Sequence, residues 1–139
     1  MNVKRAFVFV LIGIIAMMIG CSGSKYSDLV DVNVKFVSAM EDYIAATGKA
    51  TAAKDMAKAI NDYADKVEEL APKIKETRGK YPELMSGGEV PEELKAVEKK
   101  AQGLSQQVAA SYMNMMKYMM DPGVQKAQER LNKAMMSMQ

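Results

Sequence analysis

Thr51-Ala-Ala-Lys-Asp-Met56-Ala-Lys-Ala-Ile60-Asn-Asp-Tyr63-Ala-Asp-Lys-Val67-Glu-Glu-Leu70-Ala-Pro72-Lys-Ile74 is the stretch whose reading decides the fold. Its apolar residues Met56, Ile60, Tyr63, Val67, Leu70 and Ile74 alternate in steps of four and three, which stacks them along one side of an α-helix and leaves Lys, Asp and Glu on the other. That is the seam spacing of an antiparallel helical bundle. Thr51 suits the N-cap, because its hydroxyl can accept from a free N–H of the first turn. Pro72 deletes one backbone bond, yet the stripe keeps phase from Leu70 to Ile74, so a kink is expected there and not an end. The helix should close near Arg78-Gly79.

Upstream, Ser27 to Thr47 reads as a first helix. Leu29, Phe36, Met40 and Tyr43 recur at helical steps, flanked by Val30, Val37 and Ile44, and Gly48 suits a left-handed C-terminal cap. Asn33 falls on the same face and reads as a buried amide that fixes register. Downstream, Lys80 to Val90 is the longest connection, with Leu84 and Met85 expected as a plug over the bundle end.

Pro91-Glu92-Glu93 begins a third helix, with proline preset for a first turn and two carboxylates at the positive end of the helix dipole. It is expected to run to about Met120, with Leu94, Val97, Ala101, Leu104, Val108, Tyr112, Met115 and Met119 inward, broadened by Ala109, Met116 and Met120, and Gln106, Gln107, Asn114 and Lys117 opposite. Asp121-Pro122 breaks the run and starts a shorter fourth helix bearing Val124, Leu131, Met135 and Met138. No strand-like alternation and no internal repeat occurs. The fold class is therefore all-α: an antiparallel bundle of three long helices plus a shorter fourth.

At the N-terminus, Lys4 and Arg5 precede an uncharged apolar run from Ala6 to Ile19 that ends in Gly20-Cys21. This is the layout of an export signal, and the run is shorter than the roughly 20 residues a permanent bilayer span needs. Met18-Ile19-Gly20-Cys21 resembles the lipobox of bacterial lipoproteins, with Met18 standing where Leu is usual. The resemblance implies a signal peptide over residues 1–20, cleavage before Cys21, a lipid on the Cys21 sulfur, a tether over 21–26 and a helical domain over 27–139. It implies a protein held to a bacterial envelope membrane and facing the periplasm. Ser22 after the Cys resembles the outer-membrane sorting rule of enteric bacteria.

Composition excludes several function classes for the exported chain. All of the net charge of +2 resides in Lys4 and Arg5, so the chain beyond Gly20 is neutral and lacks the basic footprint of a nucleic-acid-binding protein. The single cysteine leaves no partner for an intramolecular disulfide, and there is no histidine to act as base, metal ligand or haem anchor. Adjacent carboxylate pairs such as Glu41-Asp42, Glu68-Glu69 and Glu92-Glu93 splay by about 100° on a helix and read as solvated surface. No nucleophile motif, phosphate loop or cofactor fingerprint is present, and no enzymatic role is expected.

Eleven of the 14 methionines lie beyond Gly20, and eight crowd the last two helices. They admit three readings. Methionine can fill irregular core space in a chain whose only phenylalanine after the signal is Phe36. It can form an adaptable surface for an envelope protein partner. Met113, Met116 and Met120, on one turn-spaced arc, could offer three thioethers to Cu(I). Core filling is the preferred reading. The function expected is a lipid-anchored binding or structural module, with soft-metal handling as the alternative and no cofactor beyond the lipid.

Overall fold

The computed structural model describes residues 25–85 and 90–138, and all its regular elements are helices. They are α1 (Ser27–Lys49), α2 (Ala53–Lys80), the single-turn α3 (Pro82–Met85), α4 (Glu92–Met116) and α5 (Pro122–Met136). The signal run, Cys21 and the tether up to Ser24 lie outside the described residues.

α2 forms the centre. Met56, Ile60, Ala64 and Val67 are fully buried and Tyr63, Leu70 and Ala71 nearly so, which is the stripe expected from the sequence as far as Leu70, widened by two alanines; Ile74 is half-buried. The helix passes through Pro72, whose ring lies on the exposed side, and continues to Lys80. Its start differs from expectation: Thr51 is exposed, Ala52 is the N-cap residue in extended conformation, and no side chain caps the helix.

α1 runs antiparallel to α2. Asp28 at its start meets Lys80 and Tyr81 at the end of α2, while the Tyr43 and Tyr63 rings stack at 4.7 Å midway. Gly48 does not cap α1. The helix continues through it to Lys49 and leaves by Ala50 in ordinary extended backbone (φ −62°, ψ 126°). A left-handed cap is unnecessary because an amide from α4 satisfies the terminal carbonyls. Asn33 is half-buried and not a register-fixing core amide; its Nδ2 donates to the Leu29 carbonyl of its own helix at 2.8 Å.

Helices α4 and α5 dock on the flanks of this antiparallel pair. Glu41 pairs with Lys100 and Thr47 with Ser111, so residue numbers rise together and α4 lies parallel to α1. Likewise Arg130 reaches Asp65 and Glu68, and Arg78 donates to the Met138 carbonyl at 2.6 Å, so α5 lies parallel to α2. Helices consecutive in the chain still alternate in direction. Each later helix packs along the flank of an earlier one of like direction, α4 on α1 and α5 on α2.

Two apolar clusters result. The larger joins α1, α2 and α5 around Ile60, Val67, Val124 and Leu131 and takes in Met115 from the end of α4. The smaller holds Val37 of α1 against Val97 and Leu104 of α4. α5 starts as the sequence predicts. Asp121 Oδ1 accepts from the Gly123 and Val124 N–H groups at 2.8 and 3.2 Å, with Pro122 at the first position. A Cβ at Gly123 would lie 3.0 Å from that oxygen, so the glycine gives the cap its room. In the connection, Leu84 is half-buried within α3; the side chain of Met85 and residues 86–89 lie outside the described part of the molecule.

Candidate interaction surface

The end of α4 is positioned by a polar latch that periodicity alone misplaces. Thr47, wholly buried, shares a hydrogen bond with Ser111 at 2.8 Å, and its hydroxyl also approaches the Tyr43 and Ile44 carbonyls at 2.7 and 3.3 Å. Asn114 then donates from Nδ2 to the Thr47 carbonyl at 2.7 Å and the Ala50 carbonyl at 3.1 Å. Carbonyls at a helix C-terminus have no intrahelical donor. Asn114 supplies one from another helix, and thereby ties the last turns of α1 and α4 together. It is half-buried, not on the solvent side as expected. Tyr43 adds a contact from its hydroxyl to Met115 Sδ at 3.8 Å, and burial raises the pKa of that phenol.

The latch rotates the buried stripe of α4. It runs Val97, Leu104, Ser111, Met115, and Tyr112, expected inside, faces solvent. One signal was available: Ser111 lies seven residues after Leu104 and four before Met115, in phase with both. α4 also ends earlier than expected, at Met116. From there N–H groups bond to carbonyls three residues back: Lys117 to Asn114, Tyr118 to Met115, Met119 to Met116. Such turns advance about 120° per residue, so Met119 comes over Met116 and Met120 swings away from the Met113–Met116 face.

The methionines divide accordingly. Met56, Met115 and Met138 are core, as preferred. Met40, half-buried, packs against both clusters. Core filling fails for the run at the end of α4: Met113 is 73% exposed, Met116 55%, Met119 38% and Met120 87%, beside Tyr112 at 48%. Met135 and Met136 are also exposed, but near the Arg78 end of α2, at the opposite pole from Met113–Met120. The three candidate thioethers Met113, Met116 and Met120 are therefore surface residues, two on one helical face and the third past the helix end. Among the described residues no group of three or more Asp, Glu, Cys or His is placed to share a metal ion.

Elsewhere the surface is tied by ion pairs. Arg130 bridges α5 to Asp65 and Glu68 of α2, and Lys100 bridges α4 to Glu41. Glu41 and Glu68 thus fix neighbouring helices and are more than the solvated surface expected of them. At the opposite end, Lys80 and then the Tyr81 hydroxyl hold the Asp28 carboxyl down at about 2. A shallow groove of about 200 Å³ between α1 and α2 is lined by Ala39, Ala46, Ala59, Asp42, Asp62 and Lys66 over the stacked tyrosines. It is smaller than the roughly 300–1,000 Å³ of a typical small-molecule site.

No protein-family model, curated protein or solved structure matches the chain. Among the described residues no helix is long and apolar enough to cross a membrane.

Proposed function

We propose that the chain is a lipid-anchored module of the bacterial cell envelope that works by binding or bracing and not by catalysis, with α1, α2 and α4 as the long helices of its bundle and α5 as the shorter fourth. The observation that carries the binding role is the exposed Tyr112–Met120 surface, held in place by the Thr47–Ser111–Asn114 latch. Contiguous exposed apolar surface on a small domain marks a contact site. Unbranched thioether side chains repack against a partner at little cost.

The anchor rests on Gly20-Cys21 and the apolar run before it. Lys25 lies at the Tyr81 end of the bundle, and α1 then rises about 30 Å before reaching the latch. The four residue steps from Cys21 to Lys25 span at most about 14 Å. A lipid at Cys21 therefore holds the far end of the molecule and leaves the methionine surface free for a partner in the periplasmic space. Metabolic labelling with a fatty-acid analogue tests this: the parent should be tagged and Cys21→Ser should not. Equal tagging of both would remove the anchor from the proposal.

A further inference from the structure

Between Lys100 and Lys117 the chain carries no charge, although the outer side of α4 is open to solvent there at Gln106, Ala109, Ala110 and Met113. α2 is the contrast, with Lys, Asp or Glu at nearly every exposed position. We infer that the neutral outer face of α4, with the turn after it, is covered by a second copy of this chain, the two α4 helices crossing about a two-fold axis near Met113 and Met116. The inference rests on the reading of this surface as a contact site and names its partner.

Three observations select that occupant. The first is area. With about 200 Å² for a large side chain, the exposed fractions of Tyr112, Met113, Met116 and Met119 amount to about 430 Å² per copy, and the exposed Gln106, Ala109 and Ala110 on the same side of the helix add to it. Two copies then bury about 1,000 Å², the size a specific interface has to clear. The second is charge. A two-fold contact sets a patch against itself, so a charge near the axis meets its own kind. Here Lys117 stands alone on the surface, since the Asp121 carboxylate is engaged in capping α5. Lys117 has a long enough stem to keep its ammonium in water at the rim. A partner with a charged docking face would instead bury unpaired charge against α4. The third is position: the surface lies at the pole opposite Lys25, away from a membrane to which Cys21 is bound.

The test uses the full chain in the membranes of cells that express it. Met113→Cys, Met116→Cys and, as a remote control on exposed α2, Lys73→Cys are oxidised and separated without reductant, with the parent reporting any contribution of Cys21. The Met113 and Met116 variants should yield about tenfold more of a band at twice the chain mass than Lys73→Cys or the parent. Adding Met116→Lys to Met113→Cys should cut that band about tenfold, the effect of forcing an unpaired ammonium into the contact, with far-UV ellipticity unchanged. Equal crosslinking at position 73, or a band indifferent to Met116→Lys, overturns the inference. An adduct with a different protein overturns the second copy while leaving the contact-site reading intact. No adduct at 113 or 116 overturns both.

Discussion

Thr47→Val tests whether the latch holds α4. Valine matches threonine in shape, so no cavity opens and the change isolates the hydroxyl. That hydroxyl is wholly buried and is the side-chain partner of Ser111 at 2.8 Å. Its removal deletes one interhelical hydrogen bond, about 0.5–1.5 kcal/mol, and strands a Ser111 hydroxyl that is only 5% exposed, which brings the cost to about 1–3 kcal/mol. Ser111→Ala should cost less, about 0.5–1.5 kcal/mol, because Thr47 retains the Tyr43 and Ile44 carbonyls. The double variant replaces both partners by apolar groups and should fall short of the sum by about 1 kcal/mol. Urea titrations followed by far-UV ellipticity measure the cycle. Amide exchange should accelerate in residues 108–120 of Thr47→Val and stay unchanged in α2 and α5. Additive costs, a larger loss for Ser111→Ala, or faster exchange spread evenly over all helices would refute the latch.

Ile60→Ala, at a position with no exposure in the larger cluster, should cost about 2–5 kcal/mol by urea titration. Asp28 has a folded pKa of about 2 against an ordinary 3.8, so its contribution to stability is complete above about pH 4 and lost as pH falls toward 2. The gap in urea midpoint between parent and Asp28→Asn should therefore close across that window. It should also shrink in high salt, since the carboxylate is more than a third exposed. Replacing Met113, Met116 and Met120 together by Leu should leave stability almost unchanged and make no difference in competition against a Cu(I) chelator; a stoichiometric site lost in the triple variant would restore the soft-metal alternative.

The seam of α2 was legible because its steps of four and three place every apolar residue within one narrow arc, with charges filling the rest. α5 was legible for a different reason: Asp121 and Pro122 are local chemistry, and a cap within three residues needs no knowledge of the remaining fold. The misreadings share one cause. Gly48 is a good left-handed cap in isolation, but Asn114, sixty-six residues later, supplies the donor that makes such a cap unnecessary. Periodicity likewise put Tyr112 inside and Asn114 outside, because a hydropathy stripe scores side chains by type and cannot anticipate a hydroxyl pair such as Thr47–Ser111 drawing two helices together. The helix against which α4 docks was equally invisible. Short-range pattern gives the direction of consecutive helices, while the flank on which a helix docks depends on cross-pairs such as Lys100–Glu41.

The same geometry explains why the contact surface and the stability of α4 are linked. α5 is fastened to α2 by Val124, Ala127, Leu131 and Ala134 along its length and by the Arg130 bridge. α4 has the three-residue cluster of Val37, Val97 and Leu104, the Lys100–Glu41 pair, the latch and Met115. Its outer side contributes nothing to the fold of the single chain. A partner that covers Met113 and Met116 binds only the docked position of α4, and therefore stabilises that position by its own binding free energy. A change that loosens the latch lowers the fraction of molecules with α4 docked, and the partner's apparent affinity falls in proportion to that fraction, although neither Thr47 nor Ser111 touches the partner. Thr47→Val should thus reduce crosslinking at position 113 without altering a single exposed atom of the contact.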